Sequence, residues 1–452
     1  MRVAITARSV ALELLNKVSH DDAYANLVMP TLLDEAKLPP RDSALAQELA
    51  FSTLRWQLNY DKILDRVSSR PVNEIDAVLL NALRLGCHQL LRMRIPAHAA
   101  INETVNLIRS TSGEKVVGFA NGLLRRVSEK SLNQWLDLIT QGISSDTERM
   151  AIEYSHPEWI VRALKQTLTA EGRLEDLSRL LESNNDVAKV NLVALPGLAS
   201  RESFIREGAI PNLFSPFGFS IDSGNPADLE EIRTGSVRVQ DEGSQLVALA
   251  LASYGEVTKS EKWLDMCAGP GGKAALLAAL ARESSALLVA NEVQPHRAKL
   301  VEKALKPYSE VAVSIQDGRV IGDAMPNSYD RILIDAPCTG LGALRRRPEA
   351  RWRKSVEDLK DLTKLQFELL ESGLKALKPG GLLLYATCSP HQSETTAVIE
   401  KAQRLLGAEV LDLTSHLSRT FMAGTLPINR RTIQLFTDRD GTDCMFMALI
   451  TK

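Results

Sequence analysis

A glycine-rich turn within residues 262–273, KWLDMCAGPGGK, constrains the fold of this chain more than any other stretch. The apolar residues Trp263, Leu264 and Met266 predict a short buried strand, and the glycines that follow predict a tight turn leading into a helix near Lys273. In open α/β sheets, ligands bind beyond the carboxyl ends of strands, where such a turn lets backbone N–H groups approach them. The stretch therefore predicts a ligand site.

Strand-like and helix-like segments alternate from about Gln240 onward, which is typical of a largely parallel sheet with helices on both faces. The predicted strands are 263–266, 286–290, 311–315, 331–334 and 382–386. The end of the chain differs, because 432–437 and 444–450, joined by an Asp-Gly turn, predict an antiparallel hairpin. A parallel sheet closed by such a hairpin favours a Rossmann-like methyltransferase fold over a dehydrogenase.

The preceding residues divide into two further regions. Residues 1–140 have apolar residues at three- and four-residue spacing, with prolines between the segments, and predict a compact all-α domain. Residues 141–240 combine helical periodicity with a strand-like run at 187–195 and a Gly/Pro/Asn-rich passage, and predict a small α+β middle domain. With 241–452 as the third, the chain is predicted to be multidomain, in agreement with its 452 residues.

Composition restricts the class of protein and the cellular compartment. With 44% hydrophobic and 24% charged residues, the chain resembles ordinary globular proteins, and its net charge of −2 argues against a uniformly basic nucleic-acid coat. No signal-peptide core or bilayer-length apolar run occurs, and the five cysteines form no zinc-type spacing. We therefore expect a cytoplasmic protein, monomeric by default, without a membrane segment or a metal.

Acidic residues follow the strands after the glycine turn. Glu292, about twenty residues beyond the turn, can bind ribose hydroxyls, and Asp317 after the next strand can accept a hydrogen bond from an adenine amino group. Asp335 follows the fourth strand, where the reactive end of a cofactor would lie. Each acid alone could equally be a helix cap, but together with the turn they predict a cofactor site.

Two cysteines also follow predicted strands, Cys338 in DAPCTGLG and Cys388 in YATCSP. If these strands are sheet neighbours, their ends lie roughly 5 Å apart, and both thiols can face one substrate. Carbon 5 of cytosine needs a thiolate added at carbon 6 before it can attack a methyl donor, and an acid at N3, a role for Asp335, stabilises the charge. Spacing alone leaves the roles of the two cysteines interchangeable.

The motifs DxCAGPGGK, DAPCTGLG and YATCS resemble those of the RNA cytosine-C5 methyltransferases of the NOL1/NOP2/Sun family, and residues 1–140 resemble the RNA-binding NusB fold. The resemblance implies methylation of 16S ribosomal RNA, with free small-subunit RNA and not the assembled subunit as the partner. It implies that Cys388 attacks the base and Cys338 aids release. The S-adenosylmethionine site would be lined by Cys267, Ala268, Gly269, Pro270, Gly271, Gly272, Lys273, Glu292, Asp317 and Asp335.

The chain departs from the family pattern at several positions. Gln316 precedes Asp317 where glycine is common, and the run after Cys388 lacks the usual Glu-Asn pair, with Glu394 as the candidate for its acid. Two further departures lie in the predicted cofactor site. Gly269 stands where the family usually has alanine, and Glu292 stands where it often has aspartate. We expect the glycine to be harmless, because it only loosens the turn.

A basic run, RRRPEARWRK, follows the Cys338 loop. Charge runs are usually solvated faces, but this one begins beside the predicted active-site mouth and contains Trp352. We therefore predict that the run binds RNA phosphates, with the tryptophan available for stacking. The predicted contacts are Arg345, Arg346, Arg347, Arg351, Arg353 and Lys354.

Other functions fit parts of the pattern. A tRNA cytosine-C5 methyltransferase shares all of the chemistry, and only the NusB-like region favours ribosomal RNA. A DNA cytosine methyltransferase lacks the nucleophile at the Thr-Cys position. A non-catalytic RNA-binding regulator on a methyltransferase scaffold would bind cofactor without turnover, and retention of both cysteines with Asp335 argues against it.

Overall fold

The structure, a computed structural model, describes residues 5–21, 23–221, 226–421 and 430–452. Its α-helices are, in chain order, α1 (Ala7–His20), α2 (Ala25–Ala36), α3 (Pro40–Arg55), α4 (Gln57–Val67), α5 (Ala77–Arg92), α6 (Ala97–Ser112), α7 (Val117–Val127), α8 (Leu132–Thr140), α9 (Asp146–Glu153), α10 (Glu158–Glu171), α11 (Leu177–Ser183), α12 (Arg201–Arg206), α13 (Glu230–Thr234), α14 (Glu242–Ser253), α15 (Gly272–Glu283), α16 (Pro295–Ala304), α17 (Gly318–Ala324), α18 (Ala350–Arg353), α19 (Val356–Ala376), α20 (Thr396–Leu406), α21 (Leu413–Thr420) and α22 (Thr437–Asp440).

The strands and the short 3-10 helices complete the secondary structure. The strands are β1 (Val190–Ala194), β2 (Ile210–Pro211), β3 (Gly218–Ile221), β4 (Val237–Val239), β5 (Lys262–Asp265), β6 (Leu287–Asn291), β7 (Ala312–Ser314), β8 (Tyr329–Asp335), β9 (Leu377–Thr387), β10 (Glu409–Val410), β11 (Ile433–Gln434) and β12 (Phe446–Thr451). The 3-10 helices are Val72–Glu74, Glu114–Val116, Leu174–Asp176, Pro226–Asp228, Leu341–Ala343 and Gln392–Glu394.

The chain forms two compact units. Unit 1 comprises Met1–Asp186 and Leu344–Lys354, and unit 2 comprises Val187–Ala343 and Ser355–Lys452. The predicted fold class, with an all-α N-terminal region and a mainly parallel, Rossmann-like sheet, is confirmed. The division into three domains stays a prediction, since the predicted middle segment contributes 141–186 to unit 1 and 187–240 to unit 2.

Unit 1 is helical because its apolar residues recur on one face of each helix. The predicted core positions Leu14, Leu49, Leu83 and Leu123 are all fully buried. Asp76 caps α5 by accepting hydrogen bonds from two backbone N–H groups of its first turn, which fixes where this largely buried helix begins.

Unit 2 is built on a mixed sheet with the strand order β10-β12-β9-β8-β5-β6-β7. Strands β5 to β9 are parallel, and they are the five strands predicted from the sequence. The predicted terminal hairpin is present as β11 and β12, which pair antiparallel, although the short helix α22 replaces a simple turn between them. The parallel strands all end at one edge of the sheet, which therefore receives every predicted catalytic residue.

A second, smaller antiparallel sheet in unit 2 has the order β2-β3-β1-β4. Its core includes Phe204 of α12 stacked on Phe219 of β3, with ring centroids 4.6 Å apart. None of the helices in the described part of the chain combines the length and the hydropathy that crossing a bilayer requires.

Candidate active site

The glycine turn follows β5 and is fixed by backbone hydrogen bonds. The Ala268 N–H donates to the Asn291 carbonyl at 2.8 Å, and the Gly271 N–H donates to the Ala268 carbonyl at 2.7 Å. Gly271 has a φ of +104°, and a Cβ there would lie 2.5 Å from the Ala304 side chain, so both its conformation and its packing require glycine. The turn directs the backbone into α15, which begins at Gly272.

Gly269 does more than loosen the turn, contrary to expectation. Its N–H donates to Oε2 of Glu292 at 3.1 Å, and Arg297 donates to its carbonyl at 2.6 Å. A Cβ built at Gly269 would overlap the Glu292 carboxylate. Glu292 is only 3% exposed and also accepts from the Gln294 N–H at 2.9 Å, so the longer acid occupies the space that a side chain at 269 would fill.

Asn291, which was not singled out from the sequence, joins three strand ends. Its amide donates to the carbonyls of Met266 and Gln316, both at 3.0 Å. Its Oδ1 accepts from the Ser314 hydroxyl at 2.8 Å and from the Gln316 N–H at 3.1 Å. A buried asparagine as the last residue of β6 satisfies four polar groups at once, and it holds the ends of β5, β6 and β7 in register.

Asp265 is a second residue that was missed. It is the last residue of β5 and is 0% exposed, and neither carboxylate oxygen has a hydrogen-bond partner of adequate geometry among the described residues. Burial and the nearby Asp335 charge raise its pKa to about 7, while the Lys273 ammonium and the Cys267 N–H oppose the shift. A buried acceptor without a donor is costly, and it is the type of group that a bound cation would satisfy. The sequence did contain a signal for Asp265, because it is an acid at the end of a predicted buried strand, next to the glycine turn.

Lys273 and Asp335 form an ion pair at the same edge of the sheet. Nζ of Lys273 donates to Oδ2 of Asp335 at 2.8 Å, with both side chains mostly buried. Burial opposes the ammonium charge, but the attraction of Asp335 and then of Cys388 outweighs it, so the pKa of Lys273 is raised. The same attraction acts in reverse, because a nearby ammonium stabilises an anionic sulfur at Cys388.

Cys338 and Cys388 follow two paired strands, as predicted. Strands β8 and β9 are parallel neighbours with Asp335 opposite Ala386, and the two Sγ atoms lie 3.4 Å apart. The hydrogen bond with Cys388, together with burial, raises the pKa of the Cys338 thiol well above its ordinary value. Cys338 therefore keeps its proton and can donate it in a hydrogen bond to the other sulfur.

Backbone hydrogen bonds at Gly342 hold the far end of the loop that carries Cys338. The Gly342 N–H donates to the Cys388 carbonyl at 2.9 Å, and the Cys444 N–H donates to the Gly342 carbonyl at 2.9 Å. A Cβ at Gly342 would overlap the Cys444 carbonyl oxygen, so this close approach of backbones requires glycine. Cys444 itself is buried.

The remaining predicted cofactor residues lie at the same edge, with different local roles. Asp317 caps α17 by accepting from the Arg319 N–H and pairs with the Arg319 guanidinium, which lowers the pKa of Asp317. Cys267 lies within the turn, where burial and the charge of Asp265 raise its thiol pKa. Among the residues with described positions, no group of three or more His, Cys, Asp or Glu side chains could hold a metal ion.

The basic run was expected to contact RNA, and for two of its residues this prediction is wrong. Arg345 is buried, and Arg351 is 0% exposed. Within unit 1, Arg351 donates to the carbonyls of Arg55, Asn184 and Ser155 and to Oδ1 of Asn185, at 2.7–3.2 Å. A guanidinium with these acceptors stabilises the packing of unit 1 and is not accessible to a phosphate.

The other basic residues of the run, and Trp352, are half-buried. The Trp352 indole donates to the Leu54 carbonyl at 2.8 Å, and Arg353 donates to the carbonyls of Val18 and Ala23. Of the six predicted contacts, the half-buried ones are Arg346, Arg347, Arg353 and Lys354, and for these RNA binding stays a proposal.

Comparisons with known proteins agree with this geometry. A family model described as 16S rRNA methyltransferase RsmB/F matches residues 253–451, and a NusB family model matches residues 5–129. The chain is 40% identical over 449 residues to putative methyltransferase MT1451 of Mycobacterium tuberculosis (strain CDC 1551 / Oshkosh), covering 99% of this chain and 96% of the relative. It is 30% identical over 461 residues to ribosomal RNA small subunit methyltransferase B of Photorhabdus laumondii subsp. laumondii, covering 100% of both.

A solved structure shows the same fold. The crystal structure of PH0851 has a TM-score of 0.81 to this chain with 21% identity, and the match covers 100% of both chains. The family assignment rests on the sequence relatives, since they match nearly the full length of the chain at 30% identity or more. With a glycine turn, two facing cysteines and these relatives, the chain belongs to the RsmB/F family of 16S rRNA methyltransferases, with a NusB-family N-terminal region.

Proposed function

We propose that this protein methylates carbon 5 of a cytosine in 16S ribosomal RNA, through a covalent adduct between Cys388 and carbon 6 of the base. The observation that carries the proposal is the pair of thiols 3.4 Å apart at the ends of two adjacent parallel strands, beside the Lys273–Asp335 ion pair. Few reactions need two thiols and a carboxylate in one place, and pyrimidine C5 methylation is one of them.

S-Adenosylmethionine, the cofactor of this family, supplies an electrophilic methyl group. The residues present fit it. Asp265 offers a buried carboxylate without a donor, which suits the ammonium of the cofactor's methionine part. Glu292 beyond β6 suits the ribose hydroxyls, and the backbone of residues 267–273 lines the approach. Asp317 is proposed for the adenine, where it would have to share its carboxylate with Arg319.

Cys388 is proposed as the nucleophile because its surroundings favour the anion. Lys273 attracts negative charge on this sulfur, and the Cys338 thiol, which keeps its proton, can donate a hydrogen bond to it. When the Cys388 sulfur bonds to carbon 6, the electron pair of the C5–C6 bond moves into the ring, and N3 takes a proton. Asp335 is proposed to relay that proton from the Lys273 ammonium to N3 along their 2.8 Å hydrogen bond, so that Asp335 is again a carboxylate and Lys273 is neutral.

The adduct makes carbon 5 nucleophilic, so that it can take up the methyl group. Loss of the C5 proton to a base then returns an electron pair to the C5–C6 bond, breaks the bond between sulfur and carbon 6, and regenerates the Cys388 thiolate. N3 gives its proton back through Asp335 to Lys273, which restores their ion pair. Cys338 is proposed to assist this release as a hydrogen-bond donor to the departing sulfur, a role for which a thiol with a raised pKa is suited.

The experiment is transfer of labelled methyl from S-adenosylmethionine to deproteinised small-subunit RNA from cells that lack the modification. The proposal expects incorporation into one cytosine of this RNA, as 5-methylcytosine, with assembled subunits and tRNA as poor substrates. Transfer to tRNA alone would move the assignment to the tRNA enzymes. Tight RNA binding without transfer to either RNA would leave only a binding module.

A further inference from the structure

Glu394 is a buried carboxylate with a full set of hydrogen-bond donors. It is 0% exposed and lies at the end of the 3-10 helix Gln392–Glu394. Its Oε1 accepts from the Thr339 N–H at 2.8 Å and from the Gln366 amide at 3.2 Å. Its Oε2 accepts from the Thr339 hydroxyl at 2.5 Å and from the Ser389 hydroxyl at 2.6 Å. Four donors are about what one ionised carboxylate can accept, so its lone pairs are in use.

The donors occupy particular places in the sequence. Thr339 is the residue after Cys338, and Ser389 is the residue after Cys388. One carboxylate therefore binds the neighbour of each thiol, although the two cysteines lie at the ends of different strands. Gln366 of α19 also donates to the Pro337 carbonyl at 2.9 Å, so the chain is held on both sides of Cys338.

The carboxylate is itself held in place. The Tyr385 hydroxyl donates to the Glu394 carbonyl at 2.8 Å from within β9, which anchors the 3-10 helix to the sheet. The Ser389 hydroxyl also accepts from the His391 N–H at 3.1 Å. A buried carboxylate whose two oxygens are both hydrogen-bonded specifies one geometry for its donors, because losing any of these bonds leaves a buried polar group unpaired.

We propose that Glu394 is the positioning residue of the thiol pair: by binding Thr339 and Ser389 on one carboxylate, it holds the Cys338 and Cys388 sulfurs close enough to share a proton. It acts through these two neighbours and not on the reacting atoms. The proposal deepens the proposed function and rests on it for the consequence in catalysis. The thiol geometry itself is a property of the protein without RNA or cofactor, and it can be measured separately.

The probe is phenylarsine oxide, which condenses with two nearby thiols to form two sulfur–arsenic bonds and releases water. Chelation gains from a pair held at a fixed short distance, because the second bond forms within one molecule. Wild type should bind the arsenical, and Cys338→Ser, which leaves one thiol of the pair, should lose the chelate. Glu394→Ala should bind about tenfold more weakly, since the two loops can then separate.

Three further variants separate positioning from folding. Glu394→Gln keeps the shape and one acceptor oxygen, and should bind between wild type and Glu394→Ala. Ser389→Ala releases one loop only and should also weaken binding. Glu400→Ala removes an exposed acid of α20, six residues further on, and should bind as wild type does. Arsenical affinity equal to wild type in both Glu394 variants would overturn the proposal, whatever their melting temperatures.

Turnover gives the second readout. If Glu394 positions the thiols, Glu394→Gln lowers kcat for methyl transfer several-fold and leaves the KM values for RNA and cofactor unchanged. A change confined to the KM values would contradict positioning of the thiols. Wild-type protein that binds the arsenical in a Glu394-dependent way but transfers no methyl to any RNA would remove the proposed function and leave the thiol positioning intact.

Discussion

Gly269 and Glu292 share one small volume: the Gly269 N–H donates to Oε2 of Glu292 at 3.1 Å, and a Cβ on the glycine would overlap that oxygen. Two of the departures from the family pattern, a glycine in the turn and a longer acid after β6, are therefore structurally linked. The longer side chain reaches into the space that the missing Cβ leaves free.

Substituting both residues together should restore the S-adenosylmethionine affinity that each single substitution lowers. Gly269→Ala should weaken S-adenosylmethionine binding about tenfold, because Glu292 must withdraw, and Glu292→Asp should weaken it because the shorter acid no longer reaches the turn. The double variant should return to within about threefold of wild type. Calorimetric titration of the four proteins measures this. If the losses of the single variants simply add in the double variant, the two positions are not coupled.

Asp265 should make the free protein less stable as the pH rises. Its pKa is raised from 3.8 in the unfolded chain to about 7 in the folded protein, so the folded state favours the protonated form. The stability it contributes is fully present below pH 3.8 and is lost as the pH rises through 7. Asp265→Asn cannot ionise. The melting temperature of this variant, relative to wild type, should therefore be higher at pH 8 than at pH 5 by at least about 3 °C.

The same substitution should oppose cofactor binding. If the Asp265 carboxylate pairs with the cofactor ammonium, saturating S-adenosylmethionine raises the melting temperature of wild type more than that of Asp265→Asn, and the variant binds about tenfold more weakly. Glu283→Gln, at the far end of α15, is the control and should match wild type in both measurements. Equal affinity in wild type and Asp265→Asn would place the ammonium elsewhere.

Arg351 should matter for the stability of unit 1 and not for the electrostatics of RNA binding. Arg351→Met leaves several buried acceptors without a donor and should lower the free energy of unfolding by about 2–4 kcal/mol in urea denaturation. Arg66→Met, an exposed arginine of α4, should change it by less than about 0.5 kcal/mol. An unchanged unfolding free energy, with a reduced salt dependence of RNA affinity, would return Arg351 to the RNA-contacting residues.

The sequence predicted the sheet and the thiol pair because local signals carry them. Apolar runs predicted the strands β5 to β9. Residues that follow neighbouring parallel strands lie at the same edge of the sheet, which predicted the thiol pair. Arg351 was misjudged because a charge run looks the same whether its guanidinium faces water or the carbonyls of residues far along the chain. Gly269 was misjudged because its partner Glu292 lies on another strand end, and the role of Glu394 depends on two loops that only the fold brings together.

The most direct test of the account is the fate of labelled small-subunit RNA incubated with S-adenosylmethionine and each cysteine variant, then separated under denaturing conditions. Cys388→Ala should form no protein–RNA adduct and no 5-methylcytosine, because the bond to carbon 6 cannot form. Cys338→Ala should accumulate a denaturation-resistant adduct, because the thiol that assists release, 3.4 Å from the nucleophile, is missing. An adduct in Cys388→Ala and none in Cys338→Ala would contradict the assignment and exchange the two roles.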